Sequence, residues 1–375
     1  MEKTCVDWLN EESYVFINQL LPEAIKELLK NAVFPHISLQ GHVWLCSSGT
    51  ENFPKMIALS KRALLVSAAG VNAHLKVNKG DSWLNVLPLF HTGGLAIHAR
   101  AYLTGSEVWD FSEDKWDPNQ YVKLLADHKI AFSSLTPTHV HDIVSLNLQA
   151  PKFLKSIVIG GEAFSEILHE KALALGWPLL RSYGMTELCS QIATSLSKEP
   201  YSDLNLLDHI EMKFDEEGFI KIKSEALLTG FVHGNDPGCT FINPKVEGWY
   251  KTQDKGSLKG GVLQIHGRGA NFIKISGENV NFSQLESIWD NIKLACNFRE
   301  EAVIVDLPDE RLGRIVCLAT LAISESDNNL QRMIDEFYKQ VIPVARIRRI
   351  YVVSNIPRTE LFKLKKNGLR EMITL

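Results

Sequence analysis

From residue 42 to about residue 200 the chain repeats one pattern: a short apolar run, then a stretch with helical spacing. HVWLC (42–46), WLNVLPLF (83–90) and SIVIGG (156–161) are the apolar runs, while QYVKLLADH (120–128) and SEILHEKALALG (165–176) are helical stretches. Short apolar runs bounded by turn residues make strands, and longer segments with apolar residues at every third or fourth position make amphipathic helices. Their alternation predicts an α/β sheet, in which each helix returns the chain to the next strand. Upstream, Leu20, Leu21, Ala24, Ile25, Leu28 and Leu29 fall at helical spacing, so the region before about residue 40 reads as one or two helices. From 210 to 266 short alternating segments (EMKF, GFIKIKS, GVLQIHG) broken by Gly, Asp, Asn and Pro predict a small antiparallel appendage. After GRGANFIKISGEN a new unit begins, with its own strands (AVIVDL, IVCLATLAI, RIYVV) and helices, which places a domain boundary near Arg268.

Composition narrows the function classes. The chain's 375 residues exceed one typical domain, and 45% hydrophobic content supplies a sizeable core, so one large and one small domain is the expectation. A net charge of -4, with 40 basic residues spread along the chain, leaves no footprint for nucleic acid; Arg346 to Arg349 and Lys363 to Lys366 are local basic clusters. Six cysteines without CxxC or His/Cys ligand spacing indicate neither a zinc site nor a disulfide framework, which fits a reducing cytosol. No apolar run approaches the ~18 residues of a membrane span, and the first residues, MEKTCVDWLNEESY, lack a secretory apolar core, so a cytoplasmic protein is expected. Repeats and low-complexity segments are absent, which sets solenoids aside.

Four segments carry candidate chemistry. Ser47-Ser48-Gly49-Thr50-Glu51-Asn52-Phe53-Pro54-Lys55 follows a strand; its hydroxyls and backbone N–H groups can wrap phosphate oxygens and Lys55 adds a point charge, although such a loop is equally an ordinary turn and is no Walker loop. In Pro88-Leu89-Phe90-His91-Thr92-Gly93-Gly94 an apolar strand is expected to end in a histidine that either faces a carboxylate in a cleft or is satisfied by local backbone. Gly160-Gly161-Glu162 and Tyr183-Gly184-Met185-Thr186-Glu187 sit where strands give way to loops, the ligand-binding edge of α/β sheets. There Tyr183 offers a stacking face, Thr186 a phosphate donor and Glu187 a hard oxygen for magnesium, or else a carboxylate at a helix start. Asp254, Arg268 and Lys363 are the fourth set: Asp254 can accept two ribose hydroxyls, Arg268 can donate to the same sugar or phosphate, and Lys363 would have to swing in, unless all three are solvated loop charges.

Taken together, in this order and spacing, the segments resemble the adenylate-forming superfamily of acyl-CoA synthetases, luciferases and peptide-synthetase adenylation domains, over residues from about 40 to the end. The resemblance implies a large N-terminal domain of layered α/β sheets (1–267), a hinge (268–271) and a small mobile α+β C-terminal domain (272–375). It implies that Ser47, Ser48, Gly49, Thr50 and Lys55 hold the triphosphate of ATP, that His91 lies by the acyl carboxylate, and that Gly160, Gly161 and Glu162 contact adenine and the acyl group. Tyr183, Gly184 and Thr186 would contact adenine and phosphate, Glu187 would bind Mg2+, Asp254 and Arg268 the ribose, and Lys363 the developing charge. Within the superfamily, YGMTELCSQIATS, GWYKTQDKGSL and SLTPT look like the o-succinylbenzoate-CoA ligases of menaquinone and phylloquinone synthesis. Arg100 matches an arginine expected near that acid's free carboxylate, or is a surface charge on a helix. A small-molecule carboxylic acid, ATP and coenzyme A are therefore the expected partners, with a homo-oligomer possible.

The chain also departs from that pattern. Glu51 brings negative charge to a triphosphate loop and Asn52 replaces a flexible glycine; Ala270 and Asn271 stand where the hinge usually carries acidic or polar groups; and Lys363 lacks its usual preceding glycine. The N-terminal part is shorter than the family norm by on the order of one hundred residues. Besides an o-succinylbenzoate-CoA ligase, these features leave open another acyl- or aryl-CoA ligase, or a silent homologue that binds without turning over.

Overall fold

The computed structural model describes residues 6–374 except 20, 48–54, 162–163, 197–200, 202, 235–237, 270–271, 276–277, 297, 299, 322–327 and 360–363. Its elements, in chain order, are β1 (Tyr14–Phe16), α1 (Glu23–Val33), β2 (His42–Ser47), β3 (Lys55–Ser60), α2 (Lys61–Leu75), β4 (Ser82–Asn85), α3 (Thr92–Thr104), β5 (Glu107–Asp110), α4 (Pro118–Asp127), β6 (Phe132–Leu135), α5 (Pro137–Ser145), β7 (Ser156–Ile159), α6 (Glu166–Ala174), β8 (Leu179–Met185), β9 (Ser190–Thr194), β10 (Leu204–Leu206), β11 (Glu211–Phe214), β12 (Phe219–Lys223), β13 (Gly230–His233), β14 (Tyr250–Lys259) and β15 (Val262–Arg268). There follow β16 (Phe272–Ile275), β17 (Glu278–Asn281), α7 (Phe282–Ala295), β18 (Ala302–Asp309), β19 (Gly313–Thr320), α8 (Asn328–Gln340), β20 (Ile347–Val352) and α9 (Lys366–Thr374). The chain divides into two compact units, one of residues 1–161, 172–252 and 257–264, the other of 162–171, 253–256 and 265–375.

The first unit is built on the expected α/β alternation. A mixed sheet runs in the order β11-β12-β14-β15-β10-β9-β8-β7-β6-β4-β5, and its β8-β7-β6-β4-β5 half is parallel. Every residue of β4 and β6 is buried, as strands covered by helices on both faces must be. Punctuation in the sequence sets the helix starts. The Ser60 hydroxyl accepts from Ala63 N at 3.0 Å ahead of α2, Asp117 caps α4 with Pro118 in its first turn, and Thr136 with His139 forms a capping box on α5 beside Pro137. The antiparallel segments expected after residue 210 are present and continue the parallel half through β8 and β9, which pair antiparallel, so the appendage shares its sheet with the layered domain.

Two local details differ from the sequence reading. First, the region before residue 40 holds one α-helix, within the one or two expected, but it is preceded by a strand that was not expected, β1, which pairs parallel with β2. The reason lies in residues 7–12, where Asp7 and Asn10 side chains accept the backbone N–H groups of Leu9 (2.9 Å) and Glu12 (3.1 Å) and draw the backbone into turns. That strap is anchored by buried Lys61, whose ammonium donates to Asp7 O, Asn10 O and Asn10 Oδ1 at 2.6, 2.9 and 2.6 Å. Second, the apolar run WLNVLPLF does not carry its strand to His91. β4 stops at Asn85, whose carboxamide accepts from Leu87 N at 3.0 Å, and Pro88 has no N–H with which to continue a ladder.

The second unit holds the antiparallel pair β16-β17 and a sheet in the order β18-β19-β20, antiparallel between β18 and β19 and parallel between β19 and β20. Alternation along β18 and β19 divides its faces: Ile304 and Leu318 pack with Trp289 and Phe337 of α7 and α8, whereas Val305 and Cys317 pack with Leu369 of α9. Asp306 is 2% exposed and is held by Arg314 and by Arg370, the latter at 2.5 Å.

Candidate active site

The parallel strands deliver their chemistry at their carboxyl ends, where an open α/β sheet leaves room for a ligand. From β8 through β7 and β6 to β4, neighbouring strand ends are followed by Thr186, by Gly160 and Gly161, by Thr136, and by the 86–91 loop with His91. His91 is the N-cap residue of α3, in extended conformation, and its ring lies 4.7 Å from that of Phe90. Gly94 makes this tight turn possible, because a Cβ there would stand 2.2 Å from Leu87 O and 2.6 Å from Pro88 O.

Arg100 lies nine residues further along α3, about 13 Å away along the helix. It is 1% exposed, which removes the reading as a surface charge. Nη2 donates to Ser190 Oγ at 3.1 Å and the guanidinium stands 5.5 Å from the Trp83 ring centroid, while Nε and Nη1 make no hydrogen bond among the described residues. Arg100 has no ion pair among the described residues. Burial alone pushes its pKa down to about 9. A guanidinium buried without an anion is costly, and an anionic ligand group would offset that cost.

Ser190 reaches Arg100 because the chain reverses sharply between β8 and β9. The 3-10 turn Thr186–Leu188 ends at Cys189 with φ 60°, and Cys189 N donates to Thr186 O at 3.0 Å. A Cβ on Gly184 would meet Ser190 O at 2.0 Å, so only glycine allows the strands to close here. Leu188 is fully buried and pins the turn, leaving Tyr183, Thr186 and Glu187 partly exposed. Glu187 O accepts from Leu228 N at 2.8 Å. On β8 itself, Ser182 Oγ donates across to Ile159 O of β7 at 2.9 Å and lies 3.0 Å from where a Gly160 Cβ would project; Gly161 has φ 92°.

Lys55 opens β3, paired in register with Ser47 on β2 and His233 on β13, and its ammonium lies 5.1 Å from the Phe231 ring centroid. In the second unit Asp254 is 8% exposed and Arg268 Nε donates to its Oδ1 at 3.3 Å, so the two candidate ribose ligands form one pair. Ser48, Gly49, Thr50, Glu51, Asn52, Glu162, Ala270, Asn271 and Lys363 lie outside the described residues. Thr186 and Glu187 are adjacent hard-oxygen donors, a set suited to a magnesium that also takes phosphate oxygens and water; among the described residues no group of three His, Cys, Asp or Glu could hold a metal alone. No described helix is long and apolar enough to cross a membrane. Ser190 and Trp83 beside Arg100, and Asn72, whose Nδ2 donates to Arg100 O at 2.9 Å, were not singled out in the sequence. Ser190 follows the YGMTE run directly and could have been included with it; nothing local marks the other two.

Residues 42–214 match the family of AMP-binding enzymes. The chain is 27% identical over 333 residues to the 2-succinylbenzoate–CoA ligase of Staphylococcus aureus (strain JH9), covering 86% of this chain and 65% of that protein. The Staphylococcus epidermidis ligase of the same name is 27% identical over 334 residues, with 86% and 68% covered. The chain thus spans 65% of the length of the Staphylococcus aureus relative. Among solved structures, the o-succinylbenzoate CoA synthetase of Bacillus subtilis with its acyl-adenylate intermediate superimposes with a TM-score of 0.76 at 23% identity, over 88% of this chain and 68% of that one. The same enzyme with ATP and magnesium gives 0.74 at 23% identity, over 87% and 69%. The chain shares the fold of these synthetases.

Proposed function

We propose that this chain, whose residues 42–214 match the AMP-binding enzymes, is an adenylate-forming acid-CoA ligase acting on an aromatic dicarboxylic acid of the o-succinylbenzoate type. The observation that carries this reading is the buried Arg100, whose Nε and Nη1 have no hydrogen-bond partner among the described residues, which suits the free carboxylate of an acid whose other carboxylate is activated. Similarity to the 2-succinylbenzoate–CoA ligases supports the same substrate class.

In the proposed reaction one acid carboxylate oxygen bonds to the α-phosphorus of ATP as the Pα–O bond to the leaving pyrophosphate breaks. The thiol of coenzyme A then loses its proton and bonds to the acyl carbon, releasing AMP. Magnesium would neutralise triphosphate charge, with Glu187 as its protein ligand. The chain's own part is positioning and charge compensation. Arg100 fixes the distal carboxylate and so the orientation of the acid; His91 donates to the reacting carboxylate; Thr186 and Lys55 donate to phosphate; Asp254 and Arg268 hold the ribose. Lys363 donates to the oxygens that gain charge in adenylation, and a swing about residues 268–271 would withdraw it before thiol attack.

The test is pyrophosphate release from Mg-ATP over a panel of acids including o-succinylbenzoate, with wild type and Lys363→Ala side by side. Release that depends on o-succinylbenzoate, is lost in Lys363→Ala, and leaves thioester formation from supplied acyl-AMP intact is expected. Release with benzoates or fatty acids alone would point to another acyl-CoA ligase; silence across the panel would leave a binding protein, a reading to which Glu51 and Asn52 in the phosphate loop lend weight.

A further inference from the structure

The loop bearing His91 is tied back to its own helix by a relay of side chains. His98 lies seven residues after His91, on the same face of α3. Its Nε2 donates to Asp110 Oδ2 at 2.7 Å, and Asp110 Oδ1 accepts from Asn85 Nδ2 at 3.3 Å and from Ser112 N at 2.9 Å. Asn85 is fully buried; its Oδ1 accepts from Leu87 N at 3.0 Å and its O from Phe111 N at 2.8 Å. His91 N in turn donates to Pro88 O at 3.1 Å. Asn85 and Asp110 are register partners at the ends of β4 and β5, so the relay begins and ends on rigid backbone.

We infer that His98 and Asp110 are positioning residues for His91, closing a ring from α3 through Asp110, Asn85 and Leu87 back to the histidine. The inference rests on the role proposed for His91 in acid activation. Among the described residues no strand ladder runs through the loop between Asn85 and α3, and Pro88 removes one donor, so the two turns that Asn85 and Pro88 accept help to set its shape. Asn85 needs an acceptor for its amide to stay in that orientation, and Asp110 is that acceptor. Asp110 in turn is kept ionised: burial works against its charge, but the hydrogen bonds from His98 and Ser112 outweigh it and hold the carboxyl below its ordinary range. With His98 side chain 11% and Asp110 26% exposed, the pair is screened from water more than a surface ion pair.

The experiment compares wild type, His98→Leu, His98→Gln and Asp110→Leu in acid-dependent pyrophosphate release, and follows exchange of the Leu87 backbone amide by NMR. Both leucine variants should lower kcat by about 10- to 100-fold, the effect of a displacement near 1 Å at a reacting group, with KM for ATP little changed. His98→Gln keeps an N–H donor and should recover most of the rate. Leu87 exchange should accelerate in the leucine variants and return toward wild type in His98→Gln. Wild-type kcat and unaltered Leu87 exchange in both leucine variants would overturn the inference, as would a loss of ATP binding and melting temperature in step with kcat. A wild type without acid-dependent release would refute the proposed function instead, and the exchange measurement alone then decides whether the relay holds the loop.

Discussion

Replacing Arg100 with methionine should make the protein more stable and deprive it of its acid. Arg100 is 1% exposed and burial lowers its pKa from the ordinary arginine range to about 9, a displacement worth roughly 5 kcal/mol at about 1.36 kcal/mol per pH unit. Against this stand one hydrogen bond to Ser190 and one contact with the Trp83 ring, together about 2 kcal/mol. Methionine fills similar volume without charge, so a net gain of about 2–3 kcal/mol is expected, within the range seen when buried charges give way to apolar groups. For a unit of this size that raises Tm by roughly 4–12 °C. The sign with pH follows from linkage. A base whose folded pKa is depressed binds fewer protons folded than unfolded from about pH 9 up to the ordinary arginine range, so its cost is complete below pH 9 and relieved above it. At neutral pH the whole gain should therefore be visible. Adding o-succinylbenzoate should raise the Tm of wild type by mass action and leave that of Arg100→Met unmoved. A variant that melts lower than wild type would refute the reasoning, because it would make the guanidinium a structural asset rather than a site awaiting an anion.

Three further outcomes follow from particular contacts. Gly94→Ala places a Cβ 2.2 Å from Leu87 O, so it should displace the His91 loop and cut acid-dependent turnover at least tenfold, with a stability loss of about 1–3 kcal/mol by chemical denaturation. Asp306→Asn leaves Arg314 and Arg370 without their counter-charge; because both arginines are about one-third exposed, the loss in the second unit should be nearer 2 kcal/mol than the larger values for sealed pairs, read from its urea transition. Burial pushes the His139 pKa from 6.5 down to about 4, so the unfolded chain binds more protons in that window and stability present above pH 6.5 is lost as pH falls toward 4. That amounts to about 2 kcal/mol between pH 6.5 and 5. His139→Gln retains a side chain suited to the capping box and should flatten the pH dependence of Tm over that interval; an unchanged slope would count against it.

How much of this was legible in the sequence depended on the range of the forces involved. The α/β half was readable because strands buried on both faces leave continuous apolar runs, and because caps such as Ser60, Asp117 and Thr136 announce helices within a few residues of where they act. The β1 strap was not, since its turns depend on Asp7 and Asn10 and its anchor on Lys61, fifty-odd positions away in the chain. The chemistry divides in the same way. Tyr183, Thr186 and Glu187 form one contiguous run whose spacing gives them away, and Ser190 extends it by three residues beyond Glu187. Arg100 sits in an alanine-rich helix where nothing nearby distinguishes a solvent-facing guanidinium from a sealed one. Only the approach of Trp83 from β4 and Ser190 from β9 reveals that it is buried, with Nε and Nη1 short of partners among the described residues. Asp110 follows the same rule: on paper it ends an unremarked strand, and it gains a function only when β5 lies beside β4 and brings it to Asn85. The candidate binding residues in local loops are therefore readable from order and spacing, whereas those proposed to orient the acid would acquire their roles from neighbours supplied by other strands, and must be tested through those neighbours.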